Sequence, residues 1–284
     1  MTIEEANRLL IASMTGLYDE REAASVSSLV MERLTGMPKG LRVMHKSESF
    51  TNIQENLFRD WLTQLLRSRP VQYILGEAWF GPFPFYVDES VLIPRPETEE
   101  LADWFLKDNS GRPMGSSVLD IGTGSGCIAV YLKKKRKDFG LLAIDVSEAA
   151  LEIAKKNSLT NEAEMEFLLC DIRDPAQREK LSPVDLIISN PPYIPERQKA
   201  SLDKHVKDFE PAIALFVPDE DPILYYKIIG DFAIDKLLPG GAVFLEIHHD
   251  FANEITAWYE SRGFLLELKK DFSGNNRMIK AFLS

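Results

Sequence analysis

Over residues 1–76 the apolar positions recur every three to four residues. Ile3, Ala6, Leu9, Leu10 and Met14 form one stripe, and Ala24, Leu29, Val30, Met31 and Leu34 form a second. Asn52 stands where it would cap a third helix, with Ile53, Leu57, Phe58, Trp61, Leu62, Leu65 and Leu66 on one face. Gly16, Gly36, Pro38 and Gly40 punctuate these runs, so the segment reads as a small helical domain. Between residues 70 and 95 the period changes. Aromatics alternate about Gly81-Pro82, which predicts a β-hairpin within a 77–95 linker. From residue 116 onward short apolar runs alternate with amphipathic stretches. Ser117–Ile121, Leu141–Asp145, Phe167–Leu169, Asp185–Ser189 and Ala242–Ile247 read as strands, and two more lie near 264–269 and 277–283. Helices are expected between them, at about 125–136 and 222–238 among others, with Ser147 capping the one that carries Ala150, Leu151, Ile153 and Ala154. Strand-helix alternation predicts an α/β domain over 96–284. Its sheet is expected to be doubly wound, Rossmann-like, seven-stranded and mostly parallel. The last two strands are too close for a crossover, so they should form an antiparallel edge hairpin.

The strand at 185–189 ends abruptly in Asn190-Pro191-Pro192-Tyr193. Proline lacks an N–H and has a fixed φ, so it cannot continue a central strand, and it holds the preceding residue extended. Taken alone, Asn-Pro is most simply a strand-terminating turn. The first strand changes that reading, because it runs into Asp120-Ile121-Gly122-Thr123-Gly124-Ser125-Gly126. Glycines let a ligand approach the backbone, and the following helix offers free N–H groups. Such a loop alone suits a dinucleotide equally well. Asp145 ends the second strand, where a carboxylate can accept hydrogen bonds from ribose hydroxyls of either a dinucleotide or an adenosyl cofactor. Two features separate the cases. Asp120 precedes the glycines, where it would repel a pyrophosphate but suit a cationic amino-acid end. Asp171 ends the third strand, where it or Ile172 would edge an adenine ring. The cofactor these positions imply is S-adenosyl-L-methionine.

Charge narrows the substrate. The net charge is −11, and residues 1–76 hold 9 Lys and Arg against 9 Asp and Glu, so the excess falls on 77–284. An acidic catalytic half is a poor match for a phosphate backbone. Cys127 and Cys170 lie in no metal or redox motif and are expected to be buried and reduced; no metal is expected. The start of the chain lacks a signal-peptide pattern and no run approaches a membrane span, so the expected location is cytoplasmic.

Further segments carry a family resemblance. They are Pro70–Gly76, Leu92-Ile93-Pro94-Arg95-Pro96-Glu97-Thr98-Glu99, Val118–Cys127 and Ser189–Pro195, with Glu210-Pro211, Ala214-Leu215, Gly274 and Arg277 in support. Together they resemble the HemK/PrmC family, over nearly the whole chain. That resemblance implies S-adenosylmethionine-dependent methylation of the side-chain amide nitrogen (N5) of the glutamine in the Gly-Gly-Gln motif of class 1 peptide chain release factors. It implies that Asn190, Pro191, Pro192 and Tyr193 form the catalytic site. The cofactor would be held by Asp120, Gly122, Thr123, Gly124, Ser125, Gly126, Asp145, Asp171 and Ile172, with Asn190 between cofactor and substrate. The helical domain would recognise the protein substrate, with no membrane and no direct nucleic acid involved. The nearest alternative is a nucleic-acid methyltransferase acting on the exocyclic amine of adenine or guanine, which the charge balance disfavours. Two places depart from the family. Phe216–Pro222 lacks the usual glycine, and Glu246-Ile247 is followed by His248-His249 where the family commonly has glycine. These histidines read as a surface pair at a strand end.

Overall fold

The computed structural model describes residues 1–283. Successive residues of each central strand point to opposite faces of a sheet, and here both faces are apolar. Leu119, Ile144, Ile187 and Val243 join one core, while Val118, Ala143, Leu186 and Phe244 join another. The seven strands are β1 (Ser117–Ile121), β2 (Gly140–Asp145), β3 (Glu166–Leu169), β4 (Val184–Ser189), β5 (Leu237–Glu246), β6 (Phe264–Lys270) and β7 (Asn276–Leu283). Helices Leu224–Lys236 and Ala252–Ser261 cover the first core through Ile229, Phe232, Ile255 and Tyr259. Helices Pro96–Asp108 and Cys127–Lys135 cover the second through Leu101, Phe105, Ile128 and Val130.

The strands lie in the order β6-β7-β5-β4-β1-β2-β3. All pairings from β5 to β3 are parallel, and β7 is antiparallel to both β5 and β6. The expected α/β sheet with its antiparallel terminal hairpin is therefore present, with β6 at the edge. The main difference is β5, which starts at Leu237 rather than Ala242 and pairs with β4 across a register shift.

The chain divides into two compact units, 1–77 with 203–209, and 78–202 with 210–284. The hairpin of Ala78–Phe80 and Phe83–Phe85 belongs to the second unit, where Phe80 and Phe85 are fully buried. In the first unit, helices Ile3–Met14, Glu20–Thr35 and Asn52–Leu66 enclose a separate core around Leu10, Met31, Phe58 and Leu65. Here the sequence reading needs correction, and the apolar faces it drew for the first and third helices are narrower, since Leu9, Ile53, Leu57 and Leu66 are exposed. Thr51, not Asn52, caps the third helix. Its hydroxyl accepts the Gln54 N–H while the Gln54 side chain returns to the Thr51 N–H, a reciprocal pair that Asn52 would not make. The buried face of the second helix is set by Ala23, Val26 and Val30, leaving Ala24 and Leu29 exposed.

Candidate active site

A parallel sheet leaves a crevice outside the carboxyl ends of its strands where the strand order reverses. In this sheet that point lies between β1 and β4, so the loops after those strands face each other across it. The Ser189 hydroxyl donates to the Ile121 carbonyl at 2.7 Å, fixing the two strand ends together. A cavity opens there. It is lined by Gly122 to Ser125 after β1, Asp145 and Val146 after β2, Asp171 and Ile172 after β3, and Asn190 to Pro192 after β4. Leu92, Pro94, Arg95 and Thr98, at the start of helix Pro96–Asp108, complete one wall.

Three residues of the sequence-derived site lie outside that lining: Asp120, Gly126 and Tyr193. Gly126 has a φ of +79°, and a Cβ on it would sit 3.2 Å from the Ala154 Cα, so it serves helix packing. Gly124, with a φ of +54°, has nothing within 4 Å of its missing Cβ and leaves its backbone open to the cavity. Asp120 is fully buried beneath the loop. Its Oδ2 accepts from the Thr123 hydroxyl at 2.7 Å, and its Oδ1 accepts no hydrogen bond among the described residues. Burial pushes its carboxyl up to about 7, with nearby Asp145 adding to the rise and the Thr123 hydroxyl opposing it.

Asp145 is held by two backbone amides, from Gly124 and from Ser147, each at 2.9 Å. Burial still raises its carboxyl above the usual range, against the pull of those amides. Asp171 lies at the cavity edge in a two-pronged pair with Arg173, whose hydrogen bonds hold its carboxyl below the usual range. Ile172 is buried against the same wall.

Asn190 uses its amino end inside the protein: Nδ2 donates to the Thr98 hydroxyl oxygen at 2.9 Å. The Thr98 hydroxyl in turn donates to Glu246 Oε2 at 2.6 Å. The Tyr193 hydroxyl donates to Glu246 Oε1 at 3.1 Å, and its ring meets His248 edge-on at 5.8 Å. Tyr193, half-buried, thus bonds the same carboxylate as Thr98 and is not among the residues that line the cavity. Burial raises the Glu246 carboxyl, while the Thr98 and Tyr193 hydroxyls and Arg277 hold it down. Arg95 bonds Glu210 beside this group, and Arg277 pairs with Asp271 at 3.2 Å. The sequence pattern singled out neither Thr98 nor Glu246 as a site residue.

Of the histidine pair, His249 is exposed as expected and His248 is not. His248 is only 8% exposed, its Nδ1 accepting the Asp250 N–H at 3.2 Å and its Nε2 facing Gln198. Burial lowers its pKa. With Asp250 the two histidines bring possible ligand atoms within 4.8 Å of one another. Their rings, however, stack at 15° from parallel, so lone pairs lying in the ring planes do not converge on one ion. Both cysteines are buried and free, as expected. No helix among the described residues is long and apolar enough to cross a membrane.

Comparison with known proteins adds to this geometry. Residues 8–76 match the PrmC N-terminal domain and residues 101–208 the Methyltransferase small domain. A release factor glutamine methyltransferase from Flavobacterium psychrophilum is 38% identical over 284 residues, covering 99% of each chain. One from Bacteroides thetaiotaomicron is 36% identical, covering 95% of this chain and 96% of its own. Among solved structures, a methyltransferase from Pyrococcus furiosus has a TM-score of 0.51 at 20% identity, covering 70% of this chain and 87% of its own, and so shares the fold.

Proposed function

The chain belongs to the release factor glutamine methyltransferase family, an S-adenosylmethionine-dependent group of enzymes, and we propose that it methylates the Gly-Gly-Gln glutamine of class 1 release factors at the side-chain amide nitrogen. The observation that carries the reading is one cavity lined by the glycine loop after β1 and by Asn190-Pro191-Pro192 after β4. A donor site and an acceptor site then share one space.

The residues fit the cofactor. The Asp120 Oδ1 is a buried acceptor with no partner among the described residues; beneath the glycine loop and outside the cavity lining, it is assigned attraction of the cationic amino-acid end across that loop. Asp145 keeps lone pairs beyond its two backbone bonds and is assigned the ribose hydroxyls. Ile172 is assigned the adenine face and Gly124 the close backbone approach. Asp171 is tied to Arg173, so its assigned contact with adenine is made from within that ion pair. When bound, S-adenosylmethionine supplies an electrophilic methyl group on a positive sulfur.

The rest falls to this chain. An amide nitrogen is a poor nucleophile, because its lone pair is delocalised into its carbonyl. Asn190 Oδ1 and the Pro191 carbonyl are assigned one N–H each of the incoming amide, which orients the nitrogen and stabilises the positive charge that grows on it. The two prolines hold both acceptors still. Tyr193 is assigned support of Asn190 through Glu246 and Thr98. No strong base is required, since the methylated nitrogen becomes acidic enough to release its proton to water. The helical unit is assigned recognition of the release factor. This work belongs to translation termination and so to the cytoplasm.

The test offers methyl-labelled S-adenosylmethionine to a release factor, DNA and ribosomal RNA side by side. Label is expected in the release-factor glutamine, located by mass spectrometry. Label in nucleic acid alone would replace this substrate with the exocyclic amine of a base.

A further inference from the structure

An asparagine amide has an oxygen end and an amino end of nearly the same shape. Only the oxygen can accept an N–H from an incoming amide. A flipped Asn190 would present two donors to two donors and bind nothing productively. Something must therefore set which end faces the cavity, and the shape of a proline-stiffened loop does not do so.

The hydrogen-bond chain behind Asn190 does. Thr98 has one hydroxyl proton, and it goes to Glu246 Oε2 at 2.6 Å. The hydroxyl then offers Asn190 only lone pairs, and Nδ2 fills one of them at 2.9 Å. Glu246 accepts at its other oxygen as well, from the Tyr193 hydroxyl at 3.1 Å. Thr98 is 3% exposed and Glu246 1%, so neither can turn to bulk water for another partner. Reversing the Asn190 amide would set its oxygen against the Thr98 oxygen, lone pair to lone pair. The chain joins three elements: the first turn of helix Pro96–Asp108, the end of β5 and the loop after β4.

We infer that Thr98 and Glu246 are positioning residues, which lock the Asn190 amide with its oxygen toward the cavity. This rests on the proposed role of Asn190 as acceptor for the substrate amide. Polarity passes outward from a carboxyl group that accepts at both oxygens, through a hydroxyl with one proton, to the amide. Tyr193 anchors the far side of the same carboxylate.

The experiment removes the hydroxyl and keeps the shape. Thr98→Val is expected to lower kcat about tenfold, the scale of one lost neutral hydrogen bond, with KM for S-adenosylmethionine unchanged. Thr98→Ser is expected to recover kcat to within about threefold of wild type, since it restores a single comparable bond. In an Asn190→Ala background Thr98→Val should cost nothing further, because the residue it positions is gone. Thr98→Ala serves as a second hydroxyl-free variant, with the same expectations, should the valine variant not fold. A second readout needs no substrate. The Asn190 side-chain NH₂ signals of ¹⁵N-labelled protein, assigned by their loss in Asn190→Ala, should be exchange-protected in wild type and Thr98→Ser and unprotected in Thr98→Val. Equal protection in Thr98→Val and wild type, or the full Thr98→Val cost persisting without Asn190, would overturn the inference. If wild type leaves the release-factor glutamine unlabelled, the proposed substrate fails while the NH₂ signals still decide this point.

Discussion

Asn190 and Asp120 differ in how burial acts on them, and each difference can be measured. Asn190 is neutral and stands at the cavity wall, so replacing it should leave the fold and the cofactor site intact. With transition-state hydrogen bonds worth about 2–4 kcal/mol each, Asn190→Ala should lose about 10²-fold or more in single-turnover rate while keeping cofactor affinity. Near-normal turnover would remove it from the reaction. Asp120 is ionisable and fully buried, and its carboxyl is raised from 3.8 to about 7. Below 3.8 both folded and unfolded chains hold the proton. Between 3.8 and 7 the unfolded chain gives it up first, so this group's contribution to stability falls as pH rises through that window. Asp120→Asn should therefore melt higher than wild type at pH 8 without ligand, with the gap closing by pH 4, and should bind S-adenosylmethionine more weakly. A gap independent of pH would show that Asp120 stays ionised in the folded protein. Residues of this kind were legible in the sequence because each lies at the carboxyl end of an apolar run that reads as a strand. Thr98 and Glu246 were not, because their partners lie 148 and 92 residues away and a threonine in the first turn of a helix carries no local mark of them.

At the level of elements, the alternation of apolar runs was enough to find all seven strands: the central ones, buried on both faces, are written as continuous hydrophobic stretches, and the exposed edge strands Glu166–Leu169 and Phe264–Lys270 keep shorter apolar runs between polar residues. Boundaries were less legible where a side chain rather than a periodicity sets them. Thr51 captures its helix start through Gln54, and β5 extends back to Leu237 through a Pro-Gly-Gly segment that reads as a turn. The glycine loop was legible as a loop, but the separate duties of its glycines were not. Packing between helices Cys127–Lys135 and Glu148–Thr160 decides them. Gly126→Ala faces both a left-handed backbone and the Ala154 Cα at 3.2 Å, and should destabilise by about 3 kcal/mol in urea unfolding. Gly124→Ala meets only the backbone term, about 1 kcal/mol, but its methyl intrudes on the cavity and should weaken cofactor binding. Equal stability losses at the two positions would mean that the loop shifts to absorb the contact at Gly126.

For the whole molecule the notable fact is that the hydrophobic clusters do not merge. The helical unit has its own core around Leu10, Phe58 and Leu65, and the cavity-lining residues all belong to the unit of 78–202 and 210–284. A ligand stabilises only what unfolds with its site. At S-adenosylmethionine concentrations near 100 times its Kd the gain is about 2.7 kcal/mol, which for a unit of this size raises its melting temperature by roughly 5–10 °C. Calorimetry should accordingly resolve two transitions, one carried upward by the cofactor and one, from the helical unit, unmoved. The Asp145→Ala protein should show both transitions with neither shifted at the same cofactor concentration, since the carboxylate assigned to the ribose is gone. If a single transition moves as a whole in wild type, the two units unfold cooperatively.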